Sequence, residues 1–383
     1  MRETRLIGVV MILGCHSAAP LSPAPRGLDP DFTQAERMLE LLTSHGPPTA
    51  AQVDAVVATP GTQLIVQQQN LSRKVTVEQY RVVLAAVAAE AAPAVEGAEE
   101  GERAARGVRG LRDEVWPALH WGTSHTDVLA ERIAALRKLD VGHVATRLAL
   151  EWLPEATDPP VRRHVVMGGR AGAAAIGADI YFDVLAMSHK ASLGAAVYPS
   201  PAETIEFFAH ETHHVGLAPI IEQTRSALAM NSAERRAFEI LASLVTEGSA
   251  TYFINAHHDL ERMRRDLQYG PPLADADRLV ATIERLLGDV LDRALDGEPF
   301  EKAVTPLIQS GYHCAGALMF DAIYRAGRRE RVLAVLRDPR QLLGEYNRAL
   351  ASPSAQQLRP IDGALAARTA QLGDRAPTFK PAR

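Results

Sequence analysis

Apolar residues recur every three to four positions through most of the chain, a period that predicts helices. "DFTQAERMLELLTSH" (31–45) opens with Asp31 as a cap and keeps that spacing. "TVEQYRVVLAAVAAEAA" continues the style, and "HTDVLAERIAALRKLDVGHVATRLALEWL" reads as one or two further helices. Between them "EGAEEGERAARGVRG" (96–110) is charged and glycine-punctuated, which predicts a loop or hinge. At Val161 the pattern changes. "RRHVVMGG" and "ADIYFDVLAM" are rich in Val, Ile, Tyr and Phe and read as strands, joined by the glycine-rich turn "GGRAGAAAIGAD". Helical spacing returns afterwards and runs to about Leu350. The expected fold class is therefore α+β and predominantly helical. Its expected parts are a helical N-terminal lobe (32–155), a core (160–260), a helical C-terminal lobe (261–350) and a weakly structured tail (351–383).

Composition narrows the partners. The 383 residues are 47% hydrophobic and 23% charged, an ordinary globular balance. A net charge of −5 and an aromatic content of 5% offer neither a basic footprint nor stacking surfaces, so no nucleic-acid partner is expected. "GGRAGAAAIG" has no following helix and no later acidic residue, so it does not read as a phosphate loop.

The N-terminus reads as a targeting segment. Arg2 and Arg5 precede an apolar run, Leu6 to Leu13, too short for the roughly 20 residues of a bilayer-spanning helix. Ile12-Leu13-Gly14-Cys15 resembles a bacterial lipobox, which makes 1–15 a lipoprotein signal peptide and Cys15 the lipidation site. Proline-rich residues 16–31 then form a flexible tether. The expected location is the cell envelope, outside the cytoplasm, with the membrane as partner through the lipid anchor. The remaining cysteine, Cys314, lies in apolar surroundings and reads as a buried, inert thiol.

The candidate chemistry lies in "FFAHETHHVG" (207–216). Ser200-Pro201-Ala202-Glu203 is a capping box, and Gly216 is a plausible stop, so a helix is expected over about 201–215. On it His210 and His214 fall four residues apart on one face, with Glu211 beside them. This is HExxH, two ligands for zinc and a carboxylate able to deprotonate a water. The competing reading is a solvated polar face. His213 is expected to be exposed or to lie behind the ligands.

A catalytic zinc needs a third protein ligand and one open position. Leu217 and Ile220 stand where the long form of the motif requires glycine and histidine, so that ligand must come from further on. Glu247 is the lone charge in "ILASLVTEGSATYFI" and needs a cationic partner if buried. Gly248, Ser249 and Ala250 are expected to let its helix approach the HExxH helix. Glu234 and Glu239, near arginines in "NSAERRAFE", are the rivals.

HExxH followed by a glutamate in "TEGSATY" resembles the gluzincin clan of zinc metallopeptidases. Together with the lipobox, the two strands and "GYHCAGALMFDAIYRAG" (311–327), the chain is similar to a family of bacterial lipoproteins described as zinc-dependent peptidases. The resemblance spans roughly residues 160–330. It implies a zincin-like core, a short sheet on the HExxH helix, and one catalytic zinc held by His210, His214 and Glu247. It also implies Glu211 as general base, Tyr312 ahead of His313 as oxyanion donor, and a peptide or protein substrate paired along "ADIYFDVLAM" as a sheet edge. Two other readings stand beside it: a non-catalytic zinc-containing scaffold lipoprotein of the envelope, and a zinc hydrolase of non-peptide substrates. Tyr252 is expected in the core, and His120, His125, His257 and His258 as structural or exposed.

Overall fold

The computed structural model describes residues 29–44, 46–70, 73–95, 102–154, 159–265, 269–293, 295, 297–308, 310–352 and 358–374. Cys15, the signal segment, most of the tether and the end of the tail lie outside the described residues. The chain divides into two compact units, residues 1–148 with 159–215, and residues 149–158 with 216–383. Among the described residues it is predominantly helical with one small three-stranded sheet. Among the described residues no helix is long and apolar enough to cross a membrane.

The first unit carries helices α1 (Thr33–Leu42), α2 (Ala50–Val57), α3 (Pro60–Asn70), α4 (Val77–Ala85), α5 (Glu102–Gly110), α6 (Trp116–Thr123) and α7 (Thr126–Leu136). Most of α8 (Val141–Glu151), strands β1 (Arg162–Val166), β2 (Ala173–Ile176) and β3 (Asp179–Asp183), α9 (Val184–Ser192) and the N-terminal part of α10 (Pro201–Ala227) complete it. Strand order is β1-β3-β2, with β3 parallel to β1 and antiparallel to β2. All five residues of β3 are buried, as a central strand requires.

Three expectations change here. β3 is the centre of the sheet and no edge. The "turn" contains a strand, β2, joined to β3 by the two-residue loop Gly177-Ala178; Gly177 takes a φ of 59°, which glycine adopts freely. And "VLAM" is helix, because the Asp183 carboxylate accepts from the Ala186 N–H at 2.8 Å and starts α9 there.

The charged stretch expected to be a loop is helical from Glu102 and passes into a π-turn at Leu111–Val115. Gly107 and Gly110 serve packing. A Cβ on Gly107 would overlap the Lys74 carbonyl, and one on Gly110 the Arg73 guanidinium. Asp31 caps less than expected. It accepts from the Thr33 N–H at 2.9 Å, yet its backbone bridges β1, giving N–H to Arg163 O at 2.8 Å and taking the Val165 N–H at 2.9 Å.

The second unit holds the ends of α8 and α10, then α11 (Ser232–Ser249), a π-turn (Ala250–Asn255), α12 (Leu260–Arg264), α13 (Gly270–Leu273) and α14 (Ala276–Arg293). It continues with α15 (Gly297–Ile308), α16 (Gly311–Arg337), a 3₁₀ turn (Pro339–Gln341), α17 (Leu342–Leu350) and α18 (Gly363–Ala370). Gly216 does not stop α10, which runs to Ala227 through Pro219. A Cβ at Gly216 would overlap Leu153, so that glycine also serves a close contact. The approach Gly248 permits is to Gly316 of α16, whose backbone a Cβ at 248 would strike. Cys314 is fully buried and in no disulfide among the described residues. The tail expected to be weakly structured holds α18, capped by Asp362 on the Leu365 N–H at 2.8 Å.

Candidate metal centre

The capping box that starts α10 forms as its sequence dictates: the Ser200 N–H donates to Glu203 Oε2 at 2.8 Å, and the Glu203 N–H to Ser200 Oγ at 3.3 Å. Two turns on, the helical period stacks His210 under His214, with ring centroids 4.4 Å apart and planes at 90°. Ligand atoms of His210, Glu211 and His214 all lie within 4.8 Å of one another. The three residues are 7, 3 and 4% exposed, and Thr212 and His213 between them are fully buried. A solvated polar face is thereby excluded, and so is an exposed His213. Burying this run without compensation would cost several kcal/mol per charged group. Two imidazoles and a carboxylate are the donor set of zinc, and the burial and convergence here fit that ion.

The sheet fixes this part of α10 in place. Phe182 of β3 meets Phe207 and Phe208 with centroids 6.0 Å apart in each case. Arg163 of β1, itself buried, donates to the hydroxyls of Thr212 at 3.3 Å and Thr146 at 2.6 Å. Tyr181, two residues before Asp183 on β3, is 1% exposed and within the field of Glu211. Burial first, then Asp183 and Glu211, push its hydroxyl well above the usual tyrosine range, so it stays protonated.

In the second unit Glu247 is 5% exposed on α11, and His313 Nε2 of α16 stands 3.0 Å from its Oε2. Tyr312, also buried, lies instead in the field of Glu239; burial first and that carboxylate second raise its pKa.

A family model described as "Putative zinc dependent peptidase (DUF5700)" matches residues 53–354. The chain belongs to this family. The match covers the HExxH segment, Glu247, Tyr312 and His313 together. No curated protein and no solved structure matches the chain.

The other sequence candidates are placed as follows. Glu234 closes a capping box with Asn231, taking the Asn231 N–H at 2.8 Å, and Glu239 is half-buried on the same helix. Tyr252 is core, its hydroxyl donating to Asp321 at 2.8 Å. His120 and His125 stack on Trp116 and Trp121, while His257 and His258 take left-handed φ values of 49° and 64°. Sequence reasoning missed Arg163, Tyr181 and Glu206. Only Glu206 left a local trace: it precedes His210 by one helical turn and is buried.

Proposed function

We propose that this chain is a hydrolase of the HExxH type that uses zinc to cleave peptide bonds, exported and held at the cell envelope by lipid on Cys15. The reading assigns His210, His214 and Glu247 to the metal within a zincin-like, gluzincin-type core. The observation that carries it is the burial of the whole His210–His214 run with its donor atoms converged.

Zinc, when bound, polarises the scissile carbonyl and makes a water acidic enough to attack near neutral pH. Glu211 takes the proton of that water on its carboxylate and delivers it to the leaving amine. His313, engaged with Glu247, orients that carboxylate, a role partners of metal ligands commonly fill. Tyr312, kept protonated by burial, remains the oxyanion donor of this reading. The substrate is an extended peptide, and the sheet edge for it to pair with is β2, since β3 is flanked on both sides and the backbone of Asp31 bridges β1.

Elemental analysis of the chain begun at His16 tests the assignment beside Glu247→Ala and Glu211→Gln, with a peptide-library digest. About one zinc per chain, lost in Glu247→Ala and kept in an inactive Glu211→Gln, is the expected result. Full zinc with no cleavage of any peptide would replace the peptidase by a scaffold or a hydrolase of other substrates. No zinc after refilling would remove the metal centre.

A further inference from the structure

Beside the HExxH segment the first unit gathers hydrogen-bond donors that have no acceptor. The hydroxyls of Tyr181 and Tyr198 are buried and make no hydrogen bond among the described residues. The ring of Tyr198 is held from one side by Arg132, whose guanidinium carbon sits 3.7 Å from the ring centroid. Lys190 is only partly exposed on α9, and its ammonium makes no ion pair or hydrogen bond among the described residues. Burial pulls its pKa below the usual lysine value, with Asp183 opposing.

The charge of Asp183 reaches Tyr181, Tyr198 and Lys190 alike. Strand alternation puts Tyr181 and Asp183 on one face of β3, and Lys190 follows two helical turns after Asp183. Asp183 does not act as their acceptor: its oxygens accept from the N–H groups of Gly169 at 2.5 Å and Ala186 at 2.8 Å, and neither tyrosine hydroxyl bonds to it. Two of the nearby arginines are committed. Arg73 pairs with Glu114 at 2.8 Å, and Arg170 pairs with the other oxygen of the same carboxylate. What is left over is the Lys190 ammonium, two hydroxyls and Nη1 of Arg132, which is buried and makes no hydrogen bond among the described residues.

Buried donors without acceptors are costly, and such a set persists where a ligand supplies the acceptors. Lys190 and Arg132 set against Asp183 leave one net positive charge, which with hydroxyl donors matches a monoanion with two oxygens more closely than a phosphate dianion. We propose that Lys190, Tyr181 and Tyr198 form a binding site for a carboxylate of the peptide substrate, adjoining Glu211 through Tyr181. The proposal deepens the peptidase reading and rests on it for the identity of the ligand. The carboxylate is either the peptide's C-terminus or an acidic side chain.

The test is calorimetric binding to the full zinc-loaded chain carrying Glu211→Gln, which needs no turnover. The probes are acetyl-Ala-Ala-Phe as free acid and as amide, and acetyl-Ala-Glu-Phe-amide against its Gln counterpart. The expected result is that one acid of these pairs binds about ten- to a hundredfold tighter than its neutral match, and that Lys190→Met and Tyr181→Phe each remove most of the preference. A preference at the terminus identifies the C-terminal carboxylate, and one at the middle residue the side chain. Tyr181→Phe deletes a hydroxyl with no hydrogen-bond partner among the described residues, so its melting temperature is expected to hold or rise, which separates lost recognition from lost folding. No acid preference, or one unchanged in both variants because the carboxylate sits on zinc, overturns the site. Absence of cleavage by the zinc-loaded wild type would count against the peptidase alone, since the binding comparison is read without it.

Discussion

The guanidinium of Arg163 donates to the hydroxyl of Thr212 at 3.3 Å, tying β1 to the middle of the HExxH segment. Thr212 also donates to the Phe208 carbonyl one turn back at 2.7 Å, so a single hydroxyl joins sheet and helix. Thr212→Val keeps the shape and removes one acceptor from a buried cation. It is expected to destabilise the zinc-free protein by about 1–3 kcal/mol in urea unfolding. Zinc stoichiometry should be unchanged, because His210 and His214 keep their helical spacing.

A second polar cluster sets a pH dependence. His164 stands 3.0 Å from Asp179 and 3.5 Å from Asp31 across β1, and Arg162 pairs with the same Asp179. Burial opposes the imidazolium, but the hydrogen bonds to Asp179 and Asp31 overcome it and leave the His164 pKa raised. Its stabilisation is therefore full below the ordinary value of 6.5 and lost as pH rises through the raised value. Asp31 is held down chiefly by His164, while Asp179, raised by burial, is brought below its ordinary value by His164 and Arg162. Their contributions are present above 3.8 and lost as pH falls through the depressed values. Thermal melts should show a contribution largest between these limits, and His164→Gln should flatten the alkaline side. An unchanged slope above 6.5 in that variant would locate the dependence elsewhere.

What the sequence made legible was local. The capping box of Ser200 and Glu203 and the stacking of His210 on His214 follow from helical spacing alone, and both are found. β2 was hidden because alanines carry no strand signal; the segment is a strand through its pairing with β3. The glycines at 107, 110 and 216 read as breaks, whereas each admits a neighbour distant in sequence. The burial of His213 was equally hidden, since helical phase does not say how many faces are covered. Tyr181 and Lys190 are related only through the charge of Asp183, which their spacing does not announce.

Metal removal offers a third prediction. Zinc that binds only the folded chain stabilises it by mass action, about 2.7 kcal/mol at a hundredfold excess over Kd. Chelation should therefore lower the melting temperature of the wild type. Glu211→Gln should retain that response while losing about a hundredfold or more in hydrolysis, because the change removes a base and keeps both imidazoles. His214→Ala should lose the response altogether. A wild type indifferent to the chelator would contradict the centre directly.

Two glycines on the surface of the same argument should behave oppositely. Gly248 of α11 faces Gly316 of α16, and an added Cβ would meet the Cα and carbonyl carbon of that backbone, which cannot turn aside as a side chain can. Gly248→Ala must push two packed helices apart, and overpacking of this kind costs about 1–3 kcal/mol. The shift would also move Glu247 and His313, so their 3.0 Å pairing should loosen and zinc affinity fall. Gly288, in the interior of α14, has nothing within 4 Å of the same position. There alanine removes backbone freedom from the unfolded chain at no steric cost, and Gly288→Ala should stabilise by up to about 1 kcal/mol. Urea midpoints of the two variants measured together decide the point: movement in opposite directions supports the close helix contact, and a Gly248→Ala protein as stable as the wild type would refute it.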